Sequence, residues 1–116
     1  MAATVIKTNT VAAGSANAAA TVSGFPSPGE LAVQLVDATD GGTWSGTVTF
    51  EATVDGTNWV AYELYPTTDL AASALTATAT ADGVFFGKSN GFAAFRARLS
   101  TATSGTVNIT ARYASY

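Results

Sequence analysis

The chain has 116 residues, which is enough for one domain with its own hydrophobic core. Only 11% of the residues are charged, the net charge is −3, and the sequence contains neither Cys nor His. This composition excludes disulfides, thiol and imidazole catalysis and most zinc or haem sites, and it disfavours nucleic-acid binding, which requires many Lys and Arg at phosphates. A surface so poor in charge predicts burial against neighbouring molecules, although a neutral, Thr-coated β-domain is the simpler alternative.

The first 24 residues are almost uncharged, Lys7 being the exception, and they end in a glycine. We treat 1–24 as an N-terminal unit and 25–116 as a β-sandwich domain. The N-terminal unit either supplies ordinary strands of the domain or acts as an arm that adds a strand to a neighbouring subunit. No run in it is long and apolar enough for a signal peptide or a membrane span, so we expect synthesis in a cytoplasm. Its candidate interface residues are Val5, Ile6, Lys7 and Val11.

Alternation of apolar and polar residues predicts β-strands along the chain. It is clearest over Trp44–Val54, where one face is apolar and the other carries Thr and Glu. Asp55-Gly56 follows and predicts a tight hairpin turn, with the partner strand over Asn58–Leu64. Further strands are predicted over Val5–Ala12, Ala20–Val22, Leu31–Leu35, Leu75–Thr80, Val84–Gly87, Gly91–Leu99 and Val107–Tyr113.

Seven to nine short strands separated by turns predict an all-β fold: a single antiparallel β-sandwich, of jelly-roll or immunoglobulin type, with little or no helix. The one helical candidate of any length is Asp69–Leu75, which has room for one or two turns. The inward positions of the strands give the predicted core. Its members are Val48, Phe50, Val54, Phe95, Leu99, Val107 and Ile109.

No catalytic constellation emerges from the sequence. Glu51 and Glu63 would face each other across the predicted hairpin, as paired carboxylates of a glycoside hydrolase do, but no insertion builds a cleft around them. Asp37 and Asp40 precede a Gly-Gly turn and could serve a calcium loop, although Asp-Gly turns are far more often only turns. We expect no catalytic, cofactor-binding or metal residues, and we expect that the protein is not an enzyme.

The basic residues cluster late in the chain. Arg96 and Arg98 share one face of a predicted strand, and Arg112 lies on the next strand. If these two strands pair, the three arginines form a basic stripe, which would dock onto an acidic partner through bidentate contacts with carboxylates. The alternative is a solvated sheet face that Glu51 or Glu63 balances.

Five aromatic residues also allow two interpretations. Trp44, Tyr62, Tyr65, Phe85 and Phe86 are either core and loop anchors, which is the more common role, or a set of rings on which a sugar stacks.

Two segments, TVTFEATVDGTNWVAYEL and GFAAFRARLSTATSGTVNITARYAS, resemble small β-sandwich virion proteins of tailed bacteriophages. The likeness covers 46–64 and 91–114. It consists of a strand GTVTFE, then VDG-x-x-W, later F-x-x-FR-x-R, and a final SGTV strand. Such domains serve as capsid decoration (cement) proteins, as head fibres and as tail-associated modules.

The resemblance implies a non-enzymatic virion structural protein, and we favour a capsid decoration protein that binds and stabilises the assembled head. The alternatives are a carbohydrate-binding or host-adhesion module on a tail or head fibre, and a subunit of a homopolymeric fibre or tail tube. The expected partners are the major capsid protein or other virion proteins, and further copies of the chain as a homo-oligomer. Neither nucleic acid nor membrane is expected. The expected location is the virion, after synthesis in the host cytoplasm without a signal peptide.

Overall fold

The computed structural model describes residues 5–116, which form ten β-strands and one turn of 3₁₀ helix at Ala72–Ala74. No helix in this range is long and apolar enough to cross a membrane. The strands are β1 (Ile6–Ala13), β2 (Ala19–Ser23), β3 (Gly29–Asp37), β4 (Ser45–Thr53), β5 (Val60–Ala61), β6 (Tyr65–Pro66), β7 (Thr78–Ala79), β8 (Gly83–Ser89), β9 (Ala94–Ser104) and β10 (Val107–Ser115).

The strands form two antiparallel sheets that pack face to face. Sheet A has the order β1-β10-β3-β8-β6, and sheet B has the order β2-β9-β4-β5, with β7 on the same edge of β4 as β5. Successive long strands therefore alternate between the sheets, and early strands lie between late ones. This is the connectivity of a jelly roll. The predicted all-β antiparallel sandwich is confirmed.

The core lies between the two sheets, where alternate residues of each strand point inward. Tyr113, Phe50 and Phe95 are the largest side chains that are fully buried. The predicted core residues that are buried, none more than 2% exposed, are Val48, Phe50, Phe95, Leu99, Val107 and Ile109.

Val54 does not belong to this core, because it is 73% exposed. Strand β4 ends at Thr53, and the chain turns outward at Val54 into a loop. The alternation of the sequence continues past the end of the strand, but inward and outward positions alternate only while the backbone stays extended. The prediction of a core position for Val54 is therefore wrong.

The outer edge of β4 is shared by two short strands. β5 pairs with Glu51 and Ala52, and β7 pairs with Val48 and Thr49. The predicted partner strand over Asn58–Leu64 is thus reduced to two residues, and the turn before it is a six-residue loop (54–59) that replaces the predicted tight hairpin.

The N-terminal segment contributes one strand to each sheet. β1 pairs along its full length with β10 in sheet A, and β2 pairs with β9 in sheet B. Ala13, Ala20 and Val22 bury their side chains in the common core. Residues 1–4 of the predicted 1–24 unit lie outside the described residues.

Candidate interaction surfaces

The predicted stripe of three arginines does not form. Arg96 and Arg98 lie on β9 in sheet B, whereas Arg112 lies on β10 in sheet A. The chain passes from one sheet to the other between these strands, at a turn in which Gly105 has φ 76°. Two strands that are adjacent in sequence are therefore not paired, and the stripe hypothesis is wrong.

Arg96 and Arg98 are instead held by a single buried carboxylate. Glu51 of β4 is only 8% exposed, and its Oε1 accepts hydrogen bonds from Arg96 Nε at 2.8 Å and Arg98 Nε at 2.9 Å. A further bond joins Arg98 Nη2 to Oε2 at 3.1 Å. The hydrogen bonds from Arg98, and then the one from Arg96, lower the pKa of Glu51 against the opposing effect of its burial.

Two neighbours complete this arrangement, which we call the Glu51 cluster (Asn17, Glu51, Trp59, Arg96 and Arg98). The guanidinium carbon of Arg96 lies 4.1 Å from the centre of the Trp59 ring, a cation–π contact. Arg98 Nη1 donates to Asn17 Oδ1 at 2.8 Å. The guanidinium forks that were expected to bind partner carboxylates thus already have partners within the chain. The solvated face balanced by Glu51 describes this surface better.

Asp55 organises the loop that brings Trp59 to the cluster. Its carboxylate accepts the backbone N–H groups of Thr57 at 2.8 Å and Asn58 at 2.7 Å, the Asn58 side chain and the Thr53 hydroxyl. These bonds, that of the Asn58 N–H foremost, hold the pKa of Asp55 far below its ordinary value. Gly56 adopts φ 82°, which glycine tolerates at little cost.

The outer face of sheet A has a different character, and we call it the sheet A face. Its charged residues are Arg112, Glu30 and Lys88, and the last two are directly opposite each other on β3 and β8. Small, hydroxyl, amide and apolar residues make up the rest. The sheet A face consists of the outward residues of four strands: Ile6, Thr8, Thr10 and Ala12; Asn108, Thr110, Arg112 and Ala114; Glu30, Ala32, Gln34 and Val36; Val84, Phe86 and Lys88.

Three aliphatic side chains on the sheet A face are substantially exposed, namely Ile6 (51%), Val36 (43%) and Val84 (40%). Arg112 lies between Thr8 and Ala32 on the neighbouring strands, and it makes no ion pair within residues 5–116. This face is therefore broad and of mixed polarity, and three of its fifteen outward residues are charged.

The four N-terminal interface candidates are divided between two sides of β1. Ile6 points outward onto the sheet A face, whereas Val5 and Val11 are half-buried against the core. Lys7 is exposed on the inner side of its strand, and its ammonium nitrogen lies close to Gly24, 3.7 Å from where a Cβ on that glycine would lie.

The five aromatic candidates are divided as well. Trp44 and Phe85 are buried in the core, and Trp44 Nε1 donates to Asp82 at 2.8 Å. Tyr62, Tyr65 and Phe86 are half-buried and line a groove of about 540 Å³. The polar residues around this groove are Glu30, Glu63, Lys88 and Asn90.

Tyr62 separates this aromatic groove from a second one. Its hydroxyl donates to the Lys88 carbonyl at 2.7 Å, and burial raises the pKa of its phenol. The second groove has about 520 Å³, and its apolar lining includes Val54, Val60 and Phe92.

The carboxylates that were weighed as minor candidates for metal or hydrolytic chemistry take part in other contacts. Asp37 Oδ1 accepts the N–H groups of Thr39 and Trp44 and so closes its own loop. Glu51 belongs to the Glu51 cluster, whereas Glu63 borders the aromatic groove. Across residues 5–116 no three acidic residues come together as a metal site.

The chain resembles known proteins in its fold and not in its sequence. No protein-family model and no curated protein matches the sequence. Among solved structures, the SPBc2 prophage-derived protein YomS is similar, with a TM-score of 0.77 and 14% identity over 99% of this chain and 97% of YomS. A chain from the structure of Bacillus endospore appendages, described as disulfide-linked pili, gives a TM-score of 0.42 and 17% identity over 97% of this chain and 89% of that one. The likeness to YomS shows a shared fold over nearly the full length of both proteins.

Proposed function

We propose that this chain is a non-enzymatic structural protein of a phage virion, and that it decorates the capsid by binding the outside of the assembled head. The prophage origin of YomS, which shares the fold over 99% of this chain, supports the phage context. A fold alone does not specify a function, so the proposal depends on the surface that the fold presents.

The observation that carries the proposal is the sheet A face. It is formed by four long neighbouring strands, and Val36 and Val84 expose aliphatic carbon on it. The half of this face that contains Val36 and Val84 carries no charged residue. Interface cores are depleted in charge, and exposed apolar side chains that lie together mark sites of association. The Glu51 cluster, in contrast, satisfies its own charges on the opposite sheet. We infer that the sheet A face lies against the head and that sheet B faces outward.

Binding of this kind stabilises the head by mass action. A ligand that binds only the assembled shell shifts the equilibrium away from dissociated subunits by RT ln(1 + [L]/Kd) for each site. A contact surface whose few charges include both signs also makes this binding less sensitive to salt than an arginine stripe would be.

The test uses heads that lack this protein and the purified chain. Binding is measured by co-sedimentation and located by electron microscopy, and the thermal stability of the heads is measured with and without the chain. The double variant Val36→Glu/Val84→Glu is expected to bind at least about tenfold more weakly, since it places charges on a desolvated surface. Val54→Glu is the matched control, because Val54 is exposed outside this face.

The outcomes separate the alternatives. Knobs on heads and a rise in head stability support decoration. Binding to tails or fibres only, or continuous tubes formed by the chain, would overturn it in favour of the corresponding alternative. If a folded double variant binds heads as the native chain does, the sheet A face is not the contact.

The aromatic groove supports a second candidate, saccharide binding. Tyr62, Tyr65 and Phe86 offer ring faces, while Glu63 and Asn90 offer polar groups at the rim, the combination that orients a ligand with apolar and hydroxyl faces. A glycan array with the native chain and with Tyr65→Ala tests this candidate. Glycans that bind the native chain but not the variant would favour saccharide binding. An array on which the native chain binds no glycan would refute it.

A further inference from the structure

β1 leaves one edge of sheet A open. Ser115 N–H donates to the Val5 carbonyl at 2.9 Å, and with the observed register this makes the odd-numbered residues of β1 the ones that exchange hydrogen bonds with β10. The even-numbered residues direct their N–H and C=O groups away from the sheet. The even-numbered residues are Ile6, Thr8, Thr10 and Ala12. Within residues 5–116 no group forms a hydrogen bond with the backbone N–H or C=O of these four residues.

The other edges of the sandwich are protected. The far edge of sheet A is β6, two residues long and ending in Pro66, which has no N–H. On sheet B, β5 and β7 are equally short. The β2 edge is partly covered, because Asn9 Nδ2 donates to the Thr21 carbonyl at 3.1 Å. These are ordinary devices against edge-to-edge association.

β1 carries none of these devices on its open side. It is eight residues long, contains no proline and pairs with β10 without a bulge. Its one charged residue, Lys7, projects from the inner side toward Gly24 and not across the open edge. A long, regular edge with no charged side chain directed across it is a template for another strand.

We propose that a second copy of this chain adds its own β1 to this edge, antiparallel, with the twofold axis at Asn9. In this register Ile6 lies opposite Ala12 of the second copy, and Thr8 lies opposite Thr10 of the second copy. Every outward N–H and C=O group of both strands then has a partner. On the outer face the facing pairs are apolar with apolar and Thr with Thr, which favour strand pairing. On the inner face Asn9 lies opposite Asn9 and Lys7 opposite Val11 of the second copy, so no like charges meet.

The resulting dimer continues sheet A from one copy into the other, so that the two sheet A faces lie side by side. The contact is a single strand pair and is smaller than a standard interface. The free chain should therefore dimerise weakly, with a Kd on the order of micromolar to millimolar. The inference concerns the chain alone and does not require that it binds heads.

The absence of cysteine from the sequence allows a direct test of the register. Asn9→Cys places the new thiol opposite itself, at about 4.5 Å between Cα atoms, which is within disulfide range. Val11→Cys is the matched control on the same side of the same strand, where the two thiols would be about 13 Å apart along the strand. Under mild oxidation the Asn9→Cys chain should become mostly a disulfide-linked dimer, and the Val11→Cys chain should remain monomeric.

A second test removes one outward donor. Thr8→Pro deletes an N–H that β10 does not use, so the fold should persist while self-association, measured by sedimentation at up to about 1 mM protein, falls at least about tenfold. If the proline variant does not fold, Thr8→Lys serves the same purpose with a charge. Equal cross-linking of both cysteine variants, or unchanged association after folded Thr8 substitutions, would refute the proposal. Head binding is absent from both assays, so the failure of either proposal can be recognised separately.

Discussion

Glu51 and Arg98 are joined by two hydrogen bonds, Arg98 Nε to Oε1 at 2.9 Å and Arg98 Nη2 to Oε2 at 3.1 Å. The same Oε1 accepts Arg96 Nε at 2.8 Å. One carboxylate therefore compensates two guanidinium groups that β9 places on the same face of sheet B. Removing that carboxylate leaves two like charges beside each other without a counter-ion.

Glu51→Gln should destabilise the fold by about 2 kcal/mol, because the amide cannot neutralise Arg96 and Arg98. The measurement is urea unfolding at pH 7. Glu63→Gln is the control, since Glu63 is exposed and should change stability by less than about 0.5 kcal/mol. Equal small losses in the two variants would show that the cluster contributes little to stability.

The same carboxylate gives stability a defined pH dependence. The pKa of Glu51 in the folded state lies below its ordinary value of 4.5, so the folded state holds the proton less tightly than the unfolded chain. Its contribution is complete above about pH 4.5 and is lost as the pH falls through the folded-state pKa. The difference in unfolding temperature between the native chain and Glu51→Gln should thus be constant near neutral pH and shrink in acid. A difference that grows on acidification would contradict this sign.

Gly105 and Gly41 make a matched pair for backbone strain, since their φ angles are 76° and 74°. A Cβ on Gly41 would meet nothing within 4 Å, whereas one on Gly105 would overlap the Thr39 hydroxyl and lie 2.9 Å from Trp44 Cα. Gly41→Ala should cost about 1 kcal/mol and Gly105→Ala about 3 kcal/mol or more. Chemical unfolding of both variants measures the two losses of stability. Equal losses would mean that the turn containing Gly105 relaxes to make room for the added methyl group.

Phe50 and Val54 occupy the same face of the sequence alternation but opposite environments, with exposures of 0% and 73%. Phe50→Ala should lose about 3–5 kcal/mol because it opens a cavity in the core. Val54→Ala should change stability by no more than about 0.5 kcal/mol. Thermal unfolding of the two variants measures the contrast, and a large loss for Val54→Ala would place that side chain in contact with the core.

The sequence by itself determined the fold class and most of the strands. Alternation over residues such as Val48, Phe50, Phe95 and Leu99 identifies inward positions, because successive side chains of an extended strand point to opposite faces. It also placed a chain reversal at Asp55-Gly56, but the reversal is a six-residue loop and not the predicted tight hairpin. These properties are local, because they depend only on residues that are close together in the sequence.

Only the tertiary structure decided which strands are neighbours. Alternation tells which residues of a strand share a face, but not which sheet contains the strand, because pairing joins segments that are distant in sequence. Strand pairing placed Arg112 in a different sheet from Arg96 and Arg98, and it placed Glu51 beside both of these arginines. It also left β1 as an edge strand of sheet A. The sheet A face likewise exists only once four separate segments have assembled side by side.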